Sequence, residues 1–216
     1  LQNTEILTVI SIVGRPGSGT GTQCHLLSQE FDLSHISTGD VLREEMERGE
    51  KSPRADIVRA NIVRANIVRA NIVRANIVRA NMLAGTIGPI AITTAVLKDR
   101  VTKMMESGIR VFILDGFPRS IEQRTYFQTV IAPITSLLLL QCSPETSHRR
   151  LLPRGRFDDQ AQGIRNRLVT FETITSLVVD EFRKHKRLTV IDAEQSVEEV
   201  YEKLVTIVTS VAELLH

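Results

Sequence analysis

Four glycines fall within eight residues in the segment Gly14-Arg15-Pro16-Gly17-Ser18-Gly19-Thr20-Gly21, and Thr22 follows. An apolar run at 6–13 precedes the segment and a helix-forming stretch follows it. Glycines at such a junction let successive backbone N–H groups turn toward phosphate oxygens, and the helix N-terminus adds positive potential. The spacing therefore predicts a phosphate-binding loop formed by Gly17, Ser18, Gly19, Thr20, Gly21 and Thr22. The Thr22 hydroxyl is suited to the magnesium of a nucleotide.

A second signal is cationic. Six arginines lie within 149–167, and a guanidinium offers rigid, bidentate donors to phosphate. Asp115 ends an apolar run at 110–114. A carboxylate there can orient magnesium-bound water. The five histidines show no metal-ligand spacing.

These residues need a scaffold that presents them at one edge. Stretches at 6–13, 110–114, 136–141 and 188–191, largely apolar without alternation, and a short segment at 34–37 read as strands. Helical patterns at 22–31, 93–107, 145–152, 160–184 and 196–214 separate them. Strands of that kind, each followed by a helix, predict a parallel sheet covered on both faces. At 216 residues, with 42% hydrophobic and 24% charged, the chain is sized for one domain spanning 1–216 and is not of disordered composition. Apolar runs such as Leu137 to Leu140 reach only four residues, far short of a membrane span. Two cysteines, Cys24 and Cys142, cannot form a disulfide framework, so a reducing, cytoplasmic location is expected.

One segment breaks the pattern. Ala55-Asp56-Ile57-Val58-Arg59 is followed by four identical copies of Ala-Asn-Ile-Val-Arg, ending at Arg79. With five Arg and one Asp it carries +4, so the rest of the +2 chain sums to −2. That balance argues against nucleic acid or membrane as a general partner. On a helix each five-residue step turns the pattern by about 140°, so the Ile-Val pairs spiral around it and form no single buried stripe. The repeat is expected to extend a helix by about 20 residues, or about 30 Å, part of it packing against the domain or a protein partner.

Further motifs point to a family. Ser37-Thr38-Gly39-Asp40-Val41-Leu42-Arg43, Phe112-Ile113-Leu114-Asp115-Gly116-Phe117-Pro118-Arg119, Arg150-Leu151-Leu152-Pro153-Arg154-Gly155-Arg156-Phe157-Asp158-Asp159 and Ile164-Arg165-Asn166-Arg167-Leu168 occur in this order. With the glycine loop they resemble the adenylate kinase and UMP-CMP kinase family over nearly the whole chain outside the repeat. The resemblance implies an α/β P-loop kinase fold: a five-stranded parallel sheet flanked by helices, a helical insert at 37–89 that binds the nucleoside monophosphate, and a very short lid at 154–159. It further implies that Arg119, Arg154, Arg156 and Arg167 clamp the transferring phosphate. Gly17 to Thr22, Arg150 and Arg154 would hold ATP with Mg2+, the metal meeting Thr22 directly and Asp115 through water. Thr38, Arg43, Ile87, Gly116, Arg119 and Gln123 would hold the acceptor. A glutamine at 123 favours AMP, since its amide can both donate and accept at an adenine edge. Asp158 and Asp159 would pair with neighbouring arginines, with helix capping as the alternative. Arg149 and Arg165 match no motif and read as solvated.

Three departures bear on activity. Thr20 stands where the family has its P-loop lysine, Gly155 alone separates Arg154 from Arg156, and the repeat lengthens the insert ahead of Gly85-Thr86-Ile87-Gly88-Pro89, where Gly88 replaces a usual valine. Reversible phosphoryl transfer from ATP to AMP is therefore expected to be weak. The alternative is an inactive nucleotide-binding or scaffolding domain within a larger assembly. A P-loop hydrolase ranks third, because the segments 37–43 and 116–119 argue against it.

Overall fold

The computed structural model describes residues 7–31, 33–50 and 62–213. Strand β1 (Thr8–Gly14) leads through the glycine loop into α1 (Thr20–Glu30), then β2 (Ser34–Ser37), α2 (Thr38–Glu50), α3 (Ile62–Ala84) and α4 (Ile90–Glu106). Next come β3 (Val111–Asp115), α5 (Ile121–Val130), β4 (Ser136–Gln141), α6 (Pro144–Leu151) and α7 (Ala161–Thr170). The π-helical turn Phe171–Thr175, α8 (Ser176–Lys184), β5 (Leu188–Asp192) and α9 (Val197–Glu213) complete the chain. The five strands form one parallel sheet in the order β2-β3-β1-β4-β5, as expected of a P-loop kinase fold.

The strands alternate between two cores because successive side chains leave opposite faces of a sheet. Val9, Val13, Phe112, Leu114, Leu137 and Leu139 pack with Leu97 of α4, Phe127 of α5 and Phe182 of α8. Ile10, Ile12, Ile113, Leu138 and Leu140 face the other way, against Cys24 and Leu27 of α1 and Leu204 and Val208 of α9. With both faces covered, β1 is buried from Thr8 through Val13. Its register pairs Ile12 with Asp115 and Gly14 with Leu140, while Ser37 pairs with Asp115. Gly14, Ser37 and Asp115 thus leave the sheet at the same edge, the C-terminal edge where parallel sheets bind ligands. Among the described residues no helix is long and apolar enough to cross a membrane.

The repeat is helical where it is described. Residues 62–79 lie in α3, whose 23 residues span about 35 Å; residues 55–61 lie outside the described residues. The spiral is visible in the valines: Val73 is 57% exposed and Val78, five residues on, 4%. The helix packs on α2, where Arg74 pairs with Glu45 at 3.1 Å.

The single helix expected at 160–184 is instead broken by the π-helical turn. Two hydroxyls bond back to the helix at the break. Thr173 Oγ1 donates to the Val169 carbonyl at 2.8 Å and Ser176 Oγ to that of Glu172 at 2.7 Å, and such back-bonding often bends a helix. The extra residue in the turn re-aims the side chains that follow it.

Candidate functional site

Gly17 and Gly19 both take positive φ, 88° and 94°, which other residues adopt only under strain. A Cβ on Gly17 would lie 2.6 Å from the Ser147 carbonyl oxygen, and Ser147 Oγ in turn donates to the Pro16 carbonyl. Helix α6 therefore buttresses the loop from behind. In front, nothing lies within 4 Å of a Cβ on Gly19. Gly19 caps α1 without any side-chain hydrogen bond, so first-turn N–H groups remain for a ligand. The buried Ser18 Oγ has no hydrogen-bond partner.

Gly17 through Thr22, Arg150 and Arg154, the eight residues assigned to ATP from the motifs, line one cleft, and Arg156 joins them there. Arg150 is fixed by the loop after β5: Nη1 donates to the Ala193 carbonyl at 2.8 Å and Nη2 to that of Gln195 at 3.3 Å. Val197 and Val200 complete the wall. The cleft thus offers backbone donors for an anionic tail at one end and an apolar surface beside a guanidinium at the other.

A second cavity lies between α2, α3 and the end of β3. Thr38, Arg43, Ile87, Gly116, Arg119 and Gln123 all line it, and Val78 and Met82 of α3 supply an apolar side. Gln123 is buried, and its Oε1 accepts from the Arg119 N–H at 2.9 Å, turning the amide NH2 group toward other acceptors. Thr38 Oγ1 is buried and unpartnered. Neither Val78 nor Met82 was foreseen: for Val78 a five-residue repeat gives no signal for which copy meets the cavity, and Met82 lies just past the repeat in no motif.

Between these two lies a basic cavity. Gly17, Thr20 and Arg154 line both it and the cleft, while Gly116, Arg119 and Arg167 line both it and the second cavity. Arg119 Nε donates to the Gly116 carbonyl at 3.1 Å. Burial, then the charge of Arg167, push its pKa down. Cations crowded without enough counter-charge favour an incoming anion. Thr175 Oγ1, at the end of the π-helical turn, donates to the Arg119 carbonyl at 3.0 Å. A threonine in mid-helix gave no sequence signal for that role.

The acids at 158 and 159 pair with arginine and do not cap a helix. Arg167 Nη1 meets Asp158 Oδ2 at 3.0 Å and Arg167 Nη2 meets Asp159 Oδ1 at 2.6 Å; Arg154 Nε meets Asp159 Oδ2 at 2.8 Å. Burial raises the Asp159 pKa, but bonds from Arg154 and Arg167 outweigh it and hold the carboxyl well below its usual range. Arg43 pairs with Asp40 and lies 3.9 Å from Asp158 Oδ1. These pairs set the guanidiniums between α6 and α7, which residues 152–160 join.

Asp115 faces α1, where a Cβ on Gly21 would come 3.3 Å from its Oδ2. It is thus placed against the helical turn that carries Thr22, two oxygen donors of the kind a hard dication takes. Arg149, bonded to Thr146 at 3.3 Å, and Arg165, bonded to Gln162 at 2.8 Å, line none of the three spaces. Arg15 lines the basic cavity but pairs with Glu172 at 3.0 Å.

A family model described as adenylate kinase matches residues 55–187, and one described as an AAA domain matches 13–82. The chain is 34% identical to adenylate kinase isoenzyme 1 of Caenorhabditis elegans over 201 residues, covering 91% of this chain and 85% of that protein. It is equally similar, at 34% over 202 residues, to uridylate kinase of Schizosaccharomyces pombe, covering 91% and 95%. Adenylate kinase 1 of Schistosoma mansoni is 30% identical over 200 residues, covering 91% and 90%.

Proposed function

The chain belongs to the adenylate kinase family, and on that premise we propose that it binds ATP in the glycine-loop cleft and a nucleoside monophosphate in the cavity between α2 and α3. One observation carries the reading: the two spaces meet through a basic cavity to which Arg119, Arg154 and Arg167 all contribute. Transfer between two nucleotides requires alignment and neutralisation of charge at one point between them.

In this reading the N–H groups of 17–22 hold the donor phosphates, and Arg150 lies beside the donor base. Thr22 and Asp115 serve Mg2+, which neutralises charge on the donor phosphates. Arg43 and Arg119 hold the acceptor phosphate; Arg154, Arg156 and Arg167 stabilise the charge in transfer. Gln123 and Thr38 face the acceptor base, and we favour AMP because the glutamine amide donates to a ring nitrogen acceptor. The free, buried thiols of Cys24 and Cys142 suit a reducing, cytoplasmic setting.

Thr20 favours a second reading, a domain that binds nucleotides and transfers slowly or not at all. A coupled assay with ATP and a panel of AMP, UMP and CMP, paired with nucleotide-induced thermal shifts, separates the two. Turnover supports the kinase; stabilisation by both nucleotides without turnover supports the binding domain. Failure of both nucleotides to stabilise the chain rejects both.

A further inference from the structure

Three metal-ligating side chains from three elements converge behind the glycine loop. Cys24 of α1, His35 of β2 and Asp115 of β3 each place a ligand atom within 4.8 Å of the others. His35 Nε2 lies 3.6 Å from Asp115 Oδ2 and, although buried, makes no hydrogen bond. Cys24 is a free thiol with no exposed surface.

We propose that Cys24, His35 and Asp115 form a zinc-binding site beside the glycine-loop cleft. The donor set is one sulfur, one imidazole nitrogen and one carboxylate oxygen, the mixture that suits Zn2+ and rejects Mg2+, which takes oxygen alone. Bond lengths of about 2.0–2.3 Å in a tetrahedron separate ligand atoms by about 3.3–3.8 Å, and by about 3.3–3.4 Å for a nitrogen–oxygen pair, so the His35–Asp115 pair at 3.6 Å has only a few tenths of an ångström to close. Zn2+ would replace the Cys24 thiol proton, which leaves to solvent, and would give the orphaned Nε2 a partner. Three protein ligands leave a fourth position for water. Gly21, which lines the cleft, is the nearest part of it to the cluster: a Cβ there would stand 3.3 Å from Asp115 Oδ2.

Occupied, the site holds Asp115 on zinc and withdraws it from magnesium, so zinc acts as an inhibitor. That consequence rests on the magnesium role proposed above for Asp115; zinc uptake does not, so the test reads binding. The full chain is titrated with Zn2+ in excess Mg2+ against a chromophoric chelator, and with Co2+ as a spectroscopic substitute. Cys24→Ala, His35→Gln and the control Cys142→Ala are compared after thermal melts establish folding. The expected result is one equivalent of zinc, with affinity falling about tenfold or more in Cys24→Ala and His35→Gln and unchanged in Cys142→Ala. Co2+ in the unmodified chain should show a thiolate charge-transfer band. Absence of stoichiometric zinc, or wild-type affinity in folded Cys24→Ala and His35→Gln, overturns the site. If either variant fails to fold, Co2+ bound to the unmodified chain without the thiolate band overturns it equally.

Discussion

Gly85, which closes α3, meets Gly163 of α7 backbone to backbone: a Cβ on Gly85 would lie 2.3 Å from the Gly163 carbonyl oxygen. Asn166 Nδ2 donates to the Ala84 carbonyl at 2.7 Å beside this contact. The wall of the proposed acceptor cavity is thereby fixed to the helix that carries Arg167. Gly85 has φ 67°, so alanine there suffers both strain and collision. Gly85→Ala should cost about 3 kcal/mol, a fall in melting temperature of about 6–12 °C for a chain of this size. Gly88→Ala is the control: its nearest neighbour would be 3.8 Å away, and it should melt within about 2 °C of the parent. Equal effects would show that the backbone contact is unimportant.

Thr20 lines both the cleft and the basic cavity, where the family's lysine would reach the terminal donor phosphates. Its hydroxyl is shorter and uncharged, and a lost electrostatic partner of this kind costs about 10²–10³ in rate, or ~3–4 kcal/mol. Thr20→Lys should raise kcat at saturating ATP and AMP at least about tenfold, with little change in nucleotide-induced stabilisation. A native chain turning over at about 1–100 s⁻¹ would refute the idea that Thr20 limits it.

Arg119 and Arg149 lie near apolar segments of similar appearance but differ in surroundings. Arg119 lines the basic cavity and the α2–α3 cavity; Arg149 lines neither. Arg119→Ala should weaken AMP binding about tenfold or more, the loss of one charge-assisted pair, while Arg149→Ala stays within about twofold. Calorimetric titration of both variants checks this, and equal losses would contradict the assigned roles.

Asp159 lies below the usual carboxylate range in the folded chain because, against its burial, Arg154 and Arg167 bond it. A depressed folded pKa gives stability that is present above the unfolded value of about 3.9 and is lost as pH falls toward the folded one. Asp159→Asn should therefore cost about 3 kcal/mol at pH 7, and its gap from the parent should shrink as pH drops below about 4. Urea unfolding at several pH values measures the gap; a gap that stayed constant in acid would exclude the ion pairs as its source.

What could be read in advance was local. The glycine loop, the motif at 112–119 and the five strands each declare themselves within about ten residues, and strand 34–37 and strand 136–141 were placed to the residue. The contacts that complete the site join distant segments: Thr175 with the Arg119 carbonyl, Gly85 with Gly163, and His35 with Asp115. No short pattern encodes them. Gly85 came closest to legibility, since a glycine just past a helix often marks its C-terminal cap, but only packing shows what passes beside it. The π-helical turn was illegible for a different reason: the hydroxyl back-bonds beside it also occur at Thr129, Thr206 and Ser210 in helices that stay regular.

The pentapeptide copies in α3 are identical, and the helix is anchored at its C-terminal end by Gly85. Gain or loss of one copy would therefore leave the same residue types at each position counted back from that anchor, Val78 and Met82 at the cavity included. Only the distant end would change, advancing or retreating about 7.5 Å along the axis and turning about 140° around it. Copy number thus adjusts the reach and bearing of the helix in discrete steps while the chemistry at its root stays constant. Unequal crossing-over between copies could vary the one without disturbing the other.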